Sequence, residues 1–197
     1  MRARLETVGV GCGVVAPAWF LALYLTAMRL DHRYVFYRNY LSDLGVGRGD
    51  LAFNAAVIGA GLLTVAFALL GLLPALGRRW PALGGVGMLA VGGSFLVCVG
   101  IFTEDAGSAH YVVSVGFFMS VLVALLLLSV SLWRTRALGR VAAGVTTATL
   151  ALGVLMLLWG FNPQTETIAV LAEVVWGLSL ASIRLRGLLA VGTTPTN

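Results

Sequence analysis

Charged residues are scarce in this sequence of 197 residues, where they make up 11% of the total, and lysine is absent. Soluble domains usually contain about 25% charged residues. Because 59% of the residues are hydrophobic, the remaining polar side chains could not cover the surface of a soluble domain. The shortage of charge therefore excludes a soluble protein and indicates an integral membrane protein.

Histidine and cysteine are equally rare, with two residues of each. Zinc prefers clustered histidine or cysteine ligands, so no metal ligand set is assigned and the cofactor stays unknown. Cys12 and Cys98 lie in separate apolar runs at opposite predicted depths, too far apart for a disulfide, which needs Cα atoms within about 7 Å. The net charge of +5 comes from arginines that separate hydrophobic runs, and this placement excludes a nucleic-acid-binding surface.

Six apolar runs come close to the ~20 residues of helix that cross a ~30 Å hydrocarbon core. They cover residues 8–28, 51–73, 82–102, 110–132, 141–161 and 167–183. We therefore predict an all-α fold, a polytopic bundle of six transmembrane helices that forms one domain over residues 1–190. The polar residues 191–197 are predicted to be a disordered tail.

The arginines predict the orientation of this bundle. Nine of the thirteen fall on one side, before the first helix, in the second and fourth connections, and after the sixth helix. These nine are Arg2, Arg4, Arg78, Arg79, Arg134, Arg136, Arg140, Arg184 and Arg186. Because arginine is enriched in cytoplasmic segments, we predict a multi-pass protein of the cell membrane with both termini in the cytoplasm.

Glycine is abundant, with 25 residues, many of them inside the apolar runs. Gly9 and Gly13 have the small-xxx-small spacing that lets two helix backbones approach closely when lipid supplies no hydrophobic drive between helices. A phosphate-binding loop is the competing interpretation, but no predicted strand precedes these glycines and no Gly-Lys-Ser/Thr follows them. Close helix packing is the better prediction.

Acidic residues gather at the predicted outer face, where seven of the eight lie. The first outer loop, residues 29–50, carries Tyr34, Tyr37 and Tyr40 at three-residue intervals, a spacing that favours an interfacial helix held at the headgroups by tyrosine. A dense polar segment follows, and it is either a capped turn or part of a binding site. The candidate residues here, including one from the second helix, are Arg38, Asn39, Ser42, Asp43 and Asn54.

The second outer loop adds Glu104, Asp105 and His110. A lone histidine at an interface is more often a hydrogen-bonded structural residue than a ligand. The alternative is that these side chains converge with Asp43 into one oxygen-rich metal or proton site, because charged groups at membrane depth are usually kept for a function.

The sixth helix carries the deepest acidic residue. Glu173 lies two turns after Glu166 and about 10 Å below the outer end of the helix, and Trp176 continues the same face. A carboxylate at that depth must face the bundle interior, pair with a cation or be protonated. Arg38 is the predicted partner of Glu173, and both a structural ion pair and a functional carboxylate stay open.

Two segments carry a resemblance to a known family. Residues 39–45 (NYLSDLG), with Asn54 in the next helix, and residues 99–104 (VGIFTE), followed by His110, resemble the domain of unknown function 998 (DUF998) family of six-helix membrane proteins of bacteria and archaea. Thr103 stands where proline is expected in that pattern. The Ser-Asp-x-Gly part is more distantly similar to the damage-regulated autophagy modulator family, which is linked to lipid and membrane regulation. Neither resemblance implies an established reaction.

Three functions are compatible with these features, and no catalytic residue is assigned. We prefer a non-enzymatic protein that binds lipid or organises the membrane, with its outer polar residues against lipid headgroups. One alternative is a membrane-embedded lipid or ester hydrolase that uses Asp43, Glu104 or Asp105 and His110 around a metal or a water. The other is a small proton-coupled transporter that uses Glu173. Membrane lipid is the predicted partner, and a homo-oligomer stays an open alternative.

Overall fold

A computed structural model of the chain describes residues 2–192, and these residues form helices and connecting turns but no strand. The six long helices are α1 (Arg2–Leu30), α2 (Asp50–Leu76), α3 (Ala82–Ile101), α4 (Ser108–Thr135), α5 (Gly139–Trp159) and α6 (Pro163–Gly192). Each is long and apolar enough to cross a membrane. The prediction of an all-α, six-helix membrane protein is therefore confirmed. The predicted tail lies outside the described residues from residue 193 onward.

The first and last helices extend well beyond the predicted spans. The extension of α1 is polar, and that of α6 begins with Arg184 and Arg186. A search for uninterrupted apolar runs therefore stops before both extensions, although a helix backbone satisfies its hydrogen bonds whatever the side chains. The two extensions meet where the guanidinium of Arg184, on α6, pairs with the carboxylate of Glu6, on α1. This ion pair ties the two ends of the chain together at one end of the bundle.

The helices form a closed ring in which each packs against the next in sequence and α6 returns to α1. Glycine determines how closely two of these pairs approach. A Cβ atom added at Gly61 of α2 would lie 2.5 Å from the carbonyl oxygen of Gly93 on α3, and one at Gly9 would lie 2.5 Å from the backbone of Gly71 on α2. Gly13 likewise faces the ring of Phe67, also on α2. The predicted packing role of Gly9 and Gly13 is confirmed.

The outward faces of the helices are apolar, as lipid contact requires. Aromatic side chains are exposed near both ends of the bundle, with Trp80 and Trp133 at one end and Tyr111, Trp159 and Phe161 at the other. Tryptophan and tyrosine are enriched at the two membrane–water interfaces, where a polar tip and an apolar ring are both accommodated. The protein is therefore a multi-pass membrane protein.

The two ends of the bundle differ in charge. One end, called the acidic end below, is formed by the connections of residues 31–49, 102–107 and 160–162 and by the helix termini that they join. The opposite end, called the arginine-rich end, carries eight arginines whose side chains the structure describes. They are Arg4, Arg78, Arg79, Arg134, Arg136, Arg140, Arg184 and Arg186. The candidate polar residues therefore meet at one end, and most of the arginines lie at the other.

Candidate functional site

The long connection between α1 and α2 is folded around a buried carboxylate. Asp31 is 8% exposed and accepts hydrogen bonds from the backbone N–H groups of Arg33 at 3.0 Å and Arg48 at 3.2 Å. Gly47 is required beside it, since an added Cβ would overlap the carboxylate of Asp31. Sequence reasoning counted Asp31 among the outer acids but gave it no role, because backbone donors leave no recognisable partner in a sequence.

The tyrosines of this connection do not form an interfacial helix, and that prediction was wrong. Residues 31–40 are turns, and Tyr37 has a positive φ of 66°. Tyr34 and Tyr40 instead contact different parts of the bundle. The hydroxyl of Tyr34 lies 3.4 Å from that of Tyr24 on α1, and the ring of Tyr40 stacks on Phe161 with 5.7 Å between ring centroids. Tertiary contacts of this kind override the three-residue spacing.

The polar segment that follows is a short 3₁₀ helix, Leu41–Gly45. Asp43 holds its first turn by accepting hydrogen bonds from the side-chain amide of Asn39 at 2.8 Å and the backbone N–H of Tyr40 at 3.1 Å. Asn54 of α2 holds its last turn by donating to the carbonyl oxygen of Gly45 at 3.0 Å. Three of the predicted site residues thus shape this segment, which agrees with the interpretation as a capped turn.

Glu166, in the first turn of α6, docks this segment onto the bundle. Its Oε2 atom accepts a hydrogen bond of 2.7 Å from the backbone N–H of Leu41, and the side chain is 8% exposed. Glu166 was not among the predicted site residues, although its position two turns before Glu173 was noted. The face that it shares with Glu173 was the available signal. Its partner, however, is a backbone group 125 residues away, which no local pattern reveals.

Glu104 meets Asp43 at the centre of the acidic end. The two carboxyl groups lie close enough to interact, and the pKa of Glu104 is raised from 4.5 to about 7. Burial is the largest cause, followed by the hydrogen bond to Asp43 and by the negative charge of Asp43. Two carboxyl groups in contact cannot both be ionised cheaply, so the pair holds one proton near neutral pH.

Asp105 and His110 make their hydrogen bonds elsewhere. Asp105 is exposed and accepts from the hydroxyl of Thr103. His110 Nδ1 lies 2.7 Å from the carbonyl oxygen of Phe102, so Nδ1 carries a proton, and Nε2 accepts from the hydroxyl of Ser114 at 3.3 Å. Within the described residues, no group of three or more His, Cys, Asp or Glu side chains is placed to hold a metal ion.

The predicted pairing of Arg38 with Glu173 is not formed, and that prediction was wrong. The side chain of Arg38 is exposed, whereas Glu173 is half-buried in the bundle interior two turns below Glu166. Leaving the guanidinium in water avoids the high free energy of dehydrating it. Across residues 2–192, Glu173 has no hydrogen-bond or ion-pair partner. Glu173 does face the interior, as expected.

A partly open cavity lies inside the ring of helices. It is lined by α1, α2, α3, α4 and α6 and closed at the acidic end by Leu41 and Ser42. Glu166 and Glu173 both lie in its wall. So does Trp176, which is buried and donates from its indole N–H to the hydroxyl of Thr146 on α5 at 3.0 Å. This bond joins α6 to α5 behind the cavity.

A second, smaller cavity lies between α4, α5 and α6. It shares three wall residues with the first, namely Phe118, Glu166 and Glu173. The exposed side chains of Met119 and Leu157 border it on the lipid-facing side. The two carboxyl groups therefore lie between the central cavity and the hydrocarbon region.

The contact between Asp43 and Glu104 predicts a pH dependence of stability. Because folding raises the pKa of Glu104 to about 7, the folded protein keeps a proton that the unfolded chain releases above pH ~4.5. The free energy of unfolding should therefore fall as the pH rises through this interval. We expect a higher thermal unfolding temperature in detergent at about pH 5.5 than at about pH 7.5, and a smaller difference in Glu104→Gln.

The neighbouring exposed acid provides the control for this measurement. Asp105→Asn should keep the full wild-type difference between the two pH values, since Asp105 bonds to Thr103 rather than to the pair. If Glu104→Gln kept that difference as well, the pair would not be its source.

Comparison with known proteins gives one match. No curated protein and no solved structure matches the chain. The family model described as "Protein of unknown function (DUF998)" matches residues 14–184. This range contains α2, α3, α4 and α5 in full, more than half of α1 and of α6, the connection around Asp31 and the acidic residues of both cavities. Since the match covers most of the sequence, the chain belongs to the DUF998 family.

Proposed function

We propose that this protein is a non-enzymatic membrane protein that binds a membrane amphiphile in its central cavity. One observation carries the proposal, which is that the cavity is apolar along its length and carries carboxyl groups in the wall toward one end. An alkyl chain matches the apolar part and a polar head matches the carboxyl groups. Ligand sites in helix bundles are typically concave, mostly apolar and supplied with a few polar groups in this way.

The orientation of this site follows from the arginines. The arginine-rich end faces the cytoplasm under the positive-inside rule, so the acidic end and the polar part of the cavity face the outside of the cell membrane. A ligand would then bind with its head toward the extracytoplasmic surface. Seven of the eight acidic residues lie away from the arginine-rich end, which supports this placement.

The hydrolase alternative has less support from the geometry. It needs Asp43, Glu104 and His110 around one metal or water, whereas the hydrogen bonds of His110 lead to Phe102 and Ser114. Asp43 and Glu104 do meet, but Asp43 is engaged by the backbone and side chain of its own loop. The cavity, rather than this loop, offers the space for a ligand.

Filling the cavity tests the proposal. Gly177 lies in its wall, and the nearest atom to an added Cβ there is Pro17 Cγ at 4.0 Å. Gly177→Leu should therefore occupy the cavity without displacing the backbone. We expect the lipid that stays bound through purification, quantified by mass spectrometry, to fall about tenfold, a change equivalent to ~1.4 kcal/mol of binding free energy.

A glycine away from the cavity supplies the matched control. Gly144 of α5 also has open space around it and does not line either cavity. Gly144→Leu should retain lipid like the wild type, and both variants should unfold at or above the wild-type temperature because glycine disfavours helix. Equal lipid retention in wild type and Gly177→Leu, or none in the wild type, would count against the proposed function.

A further inference from the structure

The ionisable side chains of the two cavities are all acidic. Among the described residues that line either cavity, the charged ones are Glu166 and Glu173, and neither lysine nor arginine is among them. Hydroxyl groups complete the polar lining at Ser42, Thr64 and Ser114 of the central cavity. A ligand head with a phosphate or carboxylate would therefore meet repulsion without a compensating cation.

The two carboxyl groups differ in how they are satisfied by the protein. One oxygen of Glu166 accepts a hydrogen bond from the backbone N–H of Leu41 at 2.7 Å, and the other oxygen can accept from a different donor. Glu173 lies about 10 Å deeper, two helical turns along α6. Across residues 2–192 it receives no hydrogen bond. Acidic side chains at this depth normally pair with a donor or a cation, because hydrocarbon cannot solvate them.

A bilayer supplies little hydrophobic drive for burying an alkyl chain in the cavity, since lipid is as apolar as the cavity wall. Selectivity must then come from the polar head. An ammonium group donates three hydrogen bonds and carries a positive charge, and charge-assisted bonds are roughly twice as strong as neutral ones. A hydroxyl head would satisfy the same oxygens less strongly.

We infer, on the basis of the proposed function, that the cavity selects amphiphiles whose head carries an ammonium group, held between Glu166 and Glu173. The alkyl chain lies in the apolar part of the central cavity, among side chains such as Phe20, Phe67 and Phe117. The smaller cavity leads from the exposed side chains of α4 and α5 to the same two carboxyl groups. It gives the ligand a route from the bilayer.

Photo-crosslinking in phosphatidylcholine nanodiscs tests this inference with two matched probes. One is a sixteen-carbon primary amine with a mid-chain diazirine, and the other is the alcohol of the same length and label. We expect the amine to label cavity residues at least about tenfold more than the alcohol in the wild type, a ratio that corresponds to ~1.4 kcal/mol. Glu173→Gln and Glu166→Gln should each bring labelling by the amine down toward that by the alcohol, and should change alcohol labelling much less.

One control variant and two possible outcomes separate the explanations. Asp105→Asn removes an exposed carboxylate at the same end of the bundle and should leave the preference for the amine intact. Loss of that preference in Asp105→Asn would show that surface charge causes it and would overturn the inference. Equal labelling by amine and alcohol, sensitive to Gly177→Leu, would overturn the ammonium inference and keep the proposed function. No cavity labelling by either probe would overturn both. Glu166→Gln keeps a side-chain oxygen that can accept from the N–H of Leu41. Its effect on amine labelling therefore reflects the loss of the carboxyl group rather than a change in loop docking.

Discussion

A reporter enzyme that is active only outside the cytoplasm is expected to work when fused after Gly107 and to fail when fused after Arg79 or Arg136. Gly107 lies between α3 and α4 at the acidic end, while the other two positions lie at the arginine-rich end. The expected difference is all-or-none, because a multi-pass chain presents each connection to one side of the membrane. Activity of membrane fractions from cells that express each fusion is the measurement.

A second reporter with the opposite requirement is the control for this experiment. A fluorescent protein that folds only in the cytoplasm should be bright after Arg79 and Arg136 and dark after Gly107. Extracytoplasmic activity after Arg79 would reverse the topology. The two carboxyl groups of the cavity would then be approached from the cytoplasmic side, and the arginines would break the positive-inside rule.

Glu166→Leu is expected to release the 3₁₀ segment Leu41–Gly45 from the bundle. The substitution removes the acceptor of the Leu41 N–H, which is otherwise buried. Leaving such a donor unpaired costs about 1–3 kcal/mol, so local opening should become roughly 5- to 150-fold more frequent. Amide hydrogen exchange of residues 41–45, measured in detergent or nanodiscs, should accelerate by that factor.

The conservative variant at the same position distinguishes shape from charge. Glu166→Gln keeps a side-chain oxygen at the same distance from the backbone, so exchange at Leu41 should stay within a few-fold of the wild type. Helix α5 does not supply the hydrogen bond that docks this segment, so it is the internal control and should exchange at the wild-type rate in both variants. If Leu41 were equally protected in Glu166→Leu and wild type, the segment would be held by its apolar contacts at Leu41 and Leu44 instead.

Part of the candidate site could be predicted because its residues break a pattern. Glu173 stands out in an apolar helix, and its inward orientation follows from the free energy of leaving a carboxyl group in hydrocarbon. Asp43 and Glu104 were marked by the concentration of acids at one face. We expected acids of both outer loops to converge, and Asp43 and Glu104 do. Asp105 and His110 instead form hydrogen bonds with Thr103 and Phe102. Which acids meet depends on loop geometry that spacing does not encode.

The cavity itself was beyond sequence reasoning. Its wall combines side chains from five helices and one loop. Apart from the two glutamates of α6, the wall residues do not distinguish the helices that contribute them. Whether a void remains inside a ring of helices depends on how closely each pair approaches. Contacts such as that of Gly61 with Gly93 determine this approach, and only the assembled bundle shows their sum.

The sequence by itself determined the class, the six helices and the family of this protein. Each of these depends on local or additive properties, such as the length of an apolar run or the number of charges near its ends. The tertiary structure alone decided the partners of Asp31, Glu166 and Arg38. These partners are backbone N–H groups for the two acids and solvent for the arginine. A sequence gives the side chains but does not show which backbone N–H groups the fold leaves without a backbone acceptor. Those N–H groups are the ones that donate to the buried acids.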